Sequence, residues 1–219
     1  MTLIALINPN STIEMTKSYV RAGTVCLGPQ MQLKGITNLD GPPSIQGAAD
    51  GEIAVSGMLS LIKANPQMDG FIIGCFDNTG LDEARKLTDK PVIGIGQAAY
   101  HMACLTSERF TVLTTLDVSV PVIKENIEEL GFSRYCDDVQ ASGVAVLQLE
   151  FQPEIAVPKI KKAIDNIKKQ FPDTAVVLGC GGMTNIKFEL LKGEKPPQLI
   201  DPVTSAIRLM CTALEEVRG

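Results

Sequence analysis

The sequence predicts an α/β protein of two pseudo-symmetric lobes, each a mainly parallel sheet flanked by helices, with a functional site in the cleft between them. Three observations carry that prediction. Short apolar runs alternate with amphipathic stretches along the whole chain, as in parallel sheets covered by helices. One strand-like run, Gly70-Phe71-Ile72-Ile73-Gly74-Cys75, returns as Ala175-Val176-Val177-Leu178-Gly179-Cys180, its cysteine 105 residues later in a chain of 219. Smaller echoes keep a similar spacing: Glu52-Ile53-Ala54-Val55 with Glu154-Ile155-Ala156-Val157, Lys90-Pro91 with Lys195-Pro196, and Cys104 with Cys211. The expected division is residues 1–96 plus 204–219 for the first lobe and 97–203 for the second.

In the first half, Leu3-Ile4-Ala5-Leu6-Ile7 is a short apolar strand, stopped by the turn and cap residues Asn8-Pro9-Asn10-Ser11-Thr12. A helix through Met15, Tyr19 and Val20 to Gly23 follows, then a strand over Met31 to Thr37 and a polar loop from Asp40 to Gly47. A helix over Glu52 to Ala64 has Ile53, Leu59 and Ile62 among its apolar positions. The strand ending at Cys75 opens into Asp77-Asn78-Thr79, residues suited to capping a helix start. A helix over Leu81 to Leu87 and the strand Pro91 to Ile95 close this half.

The second half repeats the order. Phe110 to Thr115 is a strand with a polar end, and Val120 to Leu130 a helix stopped by Gly131. Val139 to Leu149 reads as an apolar strand and loop, and Pro153 to Gln170 as a helix. The strand ending at Cys180, a helix over Ile186 to Leu191 and the short strand Gln198-Leu199-Ile200 complete the set.

Composition excludes several classes. The 45% hydrophobic content suffices for a sizeable core, and a net charge of −5 offers no basic footprint for nucleic acid. No apolar run is long enough to span a bilayer, and Met1-Thr2-Leu3-Ile4 enters a strand rather than a signal peptide. Six cysteines without short framework spacings read as free thiols in a reducing cytoplasm. One histidine and no C-x-x-C pair argue against a zinc site.

A cysteine at the carboxyl end of a strand and near a helix N-terminus is placed where thiolate is favoured over thiol. Two such thiols on facing walls suit stereoinversion at carbon: one removes the proton, the other reprotonates the planar intermediate from the far side. Lowering a thiol from about 8.5 to about 7 needs roughly 2 kcal/mol, within reach of a helix N-terminus. Candidate stabilisers of the enolate are the backbone N–H groups beside each cysteine and the side chains of Asn10, Asn78, Thr79, Thr114, Thr115 and Thr184.

Several stretches together carry a family resemblance. They are Ile7-Asn8-Pro9-Asn10-Ser11-Thr12, Gly41-Pro42-Pro43-Ser44-Ile45, Gly74-Cys75-Phe76-Asp77 and Gly94-Ile95-Gly96-Gln97-Ala98-Ala99 in the first half. In the second half they are Arg109 to Thr115, Ser119-Val120-Pro121, Glu125-Asn126-Ile127 and Leu178-Gly179-Cys180-Gly181-Gly182-Met183. With these, nearly the whole chain resembles the Asp/Glu/hydantoin racemase superfamily, in its hydantoin and allantoin racemase branch. The resemblance implies cofactor-independent racemisation of 5-substituted hydantoins or allantoin, with Cys75 and Cys180 catalytic. It implies substrate contacts at Asn10, Ser44, Ile45, Phe76, Asn78, Thr79, Thr114, Thr115, Gly181, Gly182 and Met183. It also implies a homo-oligomer whose partner is a small-molecule substrate, with no metal, nucleic acid or membrane. Asn78-Thr79 stands where this branch usually has Asp-Pro, a departure shared with the amino-acid racemases; Gln46 and Ala48-Ala49 also depart from the branch pattern.

Other readings stay open at this point. An amino-acid racemase, a small-dicarboxylate isomerase or decarboxylase, and a non-catalytic two-lobed binding protein all suit the same scaffold. Decarboxylating relatives typically keep only the second cysteine, so Cys75 argues against them. Gly94 to Ala99 fits a dinucleotide fingerprint formally but lies on the last strand of its half, and its second-half counterpart lacks the glycines. Cys26, Cys104, Cys136, Cys211 and His101 read as structural.

Overall fold

The computed structural model describes residues 1–193 and 196–218. Lys195 of the Lys-Pro echo and the terminal Gly219 lie outside the described residues. The first half runs β1 (Thr2–Asn8), α1 (Ile13–Thr24), β2 (Met31–Thr37), α2 (Ala48–Lys63), β3 (Gly70–Ile73), α3 (Leu81–Lys86), β4 (Val92–Gly94) and α4 (Ile95–Thr106). The second runs β5 (Phe110–Thr114), α5 (Val120–Glu129), β6 (Cys136–Ala141), α6 (Val146–Phe151), α7 (Pro153–Gln170), β7 (Ala175–Leu178), α8 (Met183–Leu190), β8 (Leu199–Ile200) and α9 (Pro202–Arg218). The strands form two four-stranded parallel sheets with matching orders, β2-β1-β3-β4 and β6-β5-β7-β8. Flanking helices complete the predicted α/β architecture.

The alternation of side chains along each strand explains how the layers bind. Ile4 and Leu6 of β1 share one core with Val176 and Leu178 of β7, together with α1, α7 and α9. The opposite face of the first sheet, through Ala5, Ile7, Phe71 and Ile73, packs on Met58 and Ile62 of α2. The opposite face of the second, through Phe110, Val112, Ala175 and Val177, packs on Ile123 and Ile127 of α5 and on Tyr100 of α4. Fully burying one such aliphatic side chain contributes about 2 kcal/mol, so the shared core binds the two sheets strongly. Among the described residues, no helix is long and apolar enough to cross a membrane.

Several elements differ from expectation in ways that matter for the site. Helix α2 starts at Ala48, not Glu52, because the Asp50 carboxylate accepts the Gln46 N–H and anchors the turn. Its buried stripe is Ala54, Met58 and Ile62, while Ile53 is 62% exposed. The stretch expected as strand and loop up to Leu149 splits: β6 begins at Cys136, and Val146 to Phe151 is helical, with Val146 and Leu149 buried one turn apart. Helix α8 begins at Met183, three residues before Ile186, bringing its N-terminus up to Cys180. Asp77-Asn78-Thr79 does not cap a helix. It forms a turn with Asn78 at a φ of 55°, and α3 starts only at Leu81, after Gly80.

Candidate active site

Two loops at matching places in the two sheets build the site. β3 pairs with β1 up to Ile7–Ile73, and β7 pairs with β5 up to Leu113–Leu178. Beyond each last pair one further ladder bond forms: Gly74 N–H donates to the Ile7 carbonyl at 2.7 Å, and Gly179 N–H to that of Leu113 at 2.8 Å. The next residue in each chain is the cysteine. Both cysteines are unbonded, and both line one cleft open to solvent. The two sulfurs thus share one cleft from equivalent places in the two sheets.

The carboxyl ends of the central strands complete the lining. Asn10 follows β1, and Thr114 and Thr115 end β5. Asn10 Oδ1 accepts from Asn8 Nδ2 at 2.9 Å and from the Thr12 N–H at 3.0 Å, leaving its Nδ2 against the Met15 sulfur at 3.6 Å. Thr114 Oγ1 donates to the Gly179 carbonyl at 3.1 Å and ties the Cys180 loop to β5. Among the described residues, the hydroxyls of Thr115, Ser119 and Tyr19 make no hydrogen bond. Met15, Ile45, Phe76, Ile123 and Val146 supply the apolar wall, and among the described residues Asp77 is the one charged side chain lining the cleft.

Of the residues expected to touch substrate, Asn10, Ile45, Phe76, Thr114, Thr115 and Gly181 line the cleft with the two cysteines. Ser44, Asn78, Thr79, Gly182 and Met183 do not line it. Asn78 is fully engaged elsewhere: Nδ2 donates to Asn126 Oδ1 at 2.9 Å, and Oδ1 accepts the Gln97 N–H at 3.0 Å. Thr79 Oγ1 donates to Asp77 Oδ1 at 2.6 Å. Thr184 donates to the buried Asp201 at 3.2 Å and is likewise a brace. The glycines of the Gly94–Ala99 run pack instead of cradling a phosphate, since a Cβ on Gly96 would lie 1.9 Å from the Phe76 carbonyl oxygen. His101 stacks edge-on against Phe132 at 4.9 Å, outside the cleft lining.

Electrostatics separate the two thiols. Cys75 Sγ donates to Asp77 Oδ1 at 2.7 Å. Burial pushes this thiol well above its ordinary range, and the adjacent Asp77 charge and hydrogen bond push further the same way. Cys180 is raised to about 11, chiefly by burial; the N–H groups of Gly182 and Met183 at the start of α8 pull it back. The lowering of both thiols expected from helix N-termini is thus not found. Burial outweighs the helix on the Cys180 wall, and on the Cys75 wall the six-residue α3 starts too far along the chain to act. No group of three or more metal-ligating side chains is placed to hold an ion among the described residues.

Sequence reasoning missed Tyr19, Asp77, Met15, Ser119, Ile123 and Val146 as lining groups. Tyr19 sits on the buried stripe of α1, where a tyrosine reads as packing. A Cβ on Gly181 would fall 2.5 Å from its Oη, which places the hydroxyl beside the Cys180 loop. Burial, then the nearness of Cys180, Cys75 and Glu150, holds this phenol protonated. Asp77 read as a helix cap, and a buried thiol donating to it was the missing signal.

Comparison with known proteins agrees with this geometry. Residues 4–210 match the family described as Asp/Glu/hydantoin racemase. A hydantoin racemase of Rhizobium meliloti is 38% identical over 208 residues, covering 94% of this chain and 86% of that protein. The structure of an allantoin racemase from Klebsiella pneumoniae superposes with a TM-score of 0.93 at 33% identity, covering 100% of this chain and 89% of the other. An allantoin racemase from Pseudomonas fluorescens gives a TM-score of 0.92 at 26% identity, covering 99% and 92%.

Proposed function

The chain belongs to the Asp/Glu/hydantoin racemase family and is a racemase, and from that premise we propose that it inverts the stereocentre of an uncharged cyclic ureide, a 5-substituted hydantoin or allantoin, using Cys75 and Cys180 as opposed acid and base. The observation that carries this reading is the pair of unbonded cysteines lining one cleft from equivalent loops of two like sheets. The charge of the cleft favours a ureide over a dicarboxylic amino acid. Among the described residues its lining holds one carboxylate and no cation, so the two carboxylates of such an amino acid would enter without a counter-charge. Asn78 and Thr79, the sequence features that pointed toward amino-acid racemases, are engaged behind the cleft wall.

The mechanism follows from the placement. A substrate seated between the sulfurs has each at about 3.5 Å from its stereocentre, on opposite faces. One sulfur, as thiolate, takes the proton; the C–H electron pair moves into the neighbouring carbonyl, whose oxygen becomes the enolate. The Tyr19 hydroxyl, Asn10 Nδ2 and the Thr115 hydroxyl are the donors in the cleft available to that oxygen. The opposite thiol then delivers its proton to the far face. The apolar wall of Ile45, Phe76, Ile123 and Val146 receives the side chain of the stereocentre. The protein acts as a homo-oligomer in a reducing cytoplasm, where both thiols stay free, and needs no added cofactor.

Loss of optical rotation from an enantiopure hydantoin or allantoin tests the activity. Cys75→Ser and Cys180→Ser test the two-base assignment, because a serine hydroxyl cannot serve as base at neutral pH; each should lose about 10³-fold in racemisation. In deuterated water each variant should still exchange the hydrogen of one enantiomer, a different one for each. Wild-type rates in both variants, or exchange of the same enantiomer by both, would refute the assignment.

A further inference from the structure

We propose that Asp77 is a positioning residue that makes the two thiols unequal at rest, holding Cys75 as the proton donor and leaving Cys180 as the proton acceptor. The proposal deepens the racemase reading and rests on it for its catalytic consequence, though not for its structural part.

The geometry is direct. A sulfur 2.7 Å from a carboxylate oxygen that already accepts Thr79 Oγ1 at 2.6 Å must carry its hydrogen, since a thiolate there would face an anion, and the Thr79 hydroxyl and Asp77 N–H nearby do not outweigh burial and that charge. Asp77 cannot turn away without abandoning both donors. Among the described residues no cation lines the cleft to cancel its charge. The titratable groups around the pair are Tyr19 from α1, Tyr100 from α4 and Cys180 across the cleft, and none of them is basic. On the other wall the sulfur meets the opposite surroundings. Cys180 has no carboxylate hydrogen-bonded to it: the Asp77 charge reaches it only from across the cleft, and the N–H groups of Gly182 and Met183 at the start of α8 favour its thiolate.

Cys180 is therefore the thiol that gives up its proton more readily while Cys75 keeps its own, and the pair is prepared for the enantiomer that presents its hydrogen to Cys180. In that turnover the C–H proton passes to Cys180, its electron pair moves to the carbonyl oxygen and returns to carbon, and the Cys75 proton forms the new C–H bond. Cys75 is left as a thiolate beside Asp77. The protein resets when one proton leaves Cys180 for solvent and one from solvent returns to Cys75. The two enantiomers have equal free energy in water, so their kcat/KM values must match. The inequality appears in kcat and KM taken separately, both lower for one enantiomer than for the other.

Alkylation by iodoacetamide at about pH 8, followed by peptide mass spectrometry resolving the six cysteines, tests the structural part without any substrate. In the wild-type protein Cys180 should react at least about ten-fold faster than Cys75. Asp77→Asn should raise the Cys75 rate about ten-fold and leave Cys180 within about two-fold, whereas Asp77→Glu should keep Cys75 slow. Cys75 reacting as fast as Cys180 in the wild type, or unmoved by Asp77→Asn, would overturn the proposal. If Asp77→Asn unfolds, all six thiols quicken together, and Thr79→Val decides instead: with the carboxylate retained, Cys75 should stay slow, and acceleration would overturn the proposal. The catalytic arm compares kcat and KM for each enantiomer, and Asp77→Asn should bring the two sets together. An alkylation difference without any racemisation would strike the racemase reading and leave the Asp77 assignment standing.

Discussion

The loop after β3 and the loop after β7 leave their sheets identically and then diverge. Each makes one extra ladder bond through a glycine and turns a cysteine into the same cleft. After Cys180 the chain enters α8 within three residues, with Gly182 as its cap, so helix N–H groups face the sulfur. After Cys75 it makes a turn through Asn78 and delays its helix until Leu81, so a side-chain carboxylate faces the sulfur instead. The sheet sets position; the residues beyond it set charge. Repeated backbones can thus place two identical side chains symmetrically and still give them different surroundings.

The sharpest way to probe that comparison is the group between the loops. Tyr19→Phe removes a hydroxyl that makes no hydrogen bond among the described residues, so thermal stability should hold. The lost donor should cost about 10²-fold in rate, equally for both enantiomers. A fall in kcat for one enantiomer alone, with KM falling in step, measured by polarimetry from each side, would place Tyr19 with one loop rather than between them.

Alkaline pH should separate stability from rate. Cys180 is held at about 11 in the folded protein against an ordinary 9.0, so its contribution to stability is complete below about pH 9 and is lost as pH rises through 11. That decline amounts to no more than about 3 kcal/mol, read by denaturant unfolding at both ends of the window. Cys180→Ser should flatten that decline. The racemisation rate should move the other way, climbing from about pH 7 to about 9 as thiolate accumulates.

The braces behind the loops come next. Asn78→Ala loses bonds to Asn126 and Gln97 and leaves alanine at a φ of 55°, for a cost of about 2 kcal/mol. Thr184→Ala, behind the other loop, loses one bond to Asp201 and should cost about 1 kcal/mol. Equal melting shifts would show that the Cys75 turn stores no more strain than the α8 start. The smallest effect belongs to His101→Ala, outside the cleft lining, which should leave both rates within about two-fold.

Much of the architecture was legible in order. Apolar runs of four to seven residues bounded by Gly, Asn and Asp mark β1, β3, β5 and β7 because a buried parallel strand must be apolar on both faces. The Gly-Cys repeat pointed to both thiols for the same reason: it ends two such strands, where a cleft must lie. Element ends were less legible. Helices α2 and α8 start earlier than expected, since Asp50 anchors the first turn of α2 and Gly182 caps α8 just before the buried Met183.

By itself the sequence determined the α/β class, the order of the elements and the two cysteines at equivalent strand ends, because those depend on local periodicity and on a repeat. Only the tertiary structure decided what each sulfur faces. Tyr19 reaches the cleft because α1 packs beside the Cys180 loop. Asp77 meets Cys75 because the turn folds its carboxylate back two residues instead of forward onto a helix. Burial, which raises both thiols, comes from closing two sheets over one cleft. Desolvation and charge pairing depend on distances through space, and spacing along a chain does not encode them.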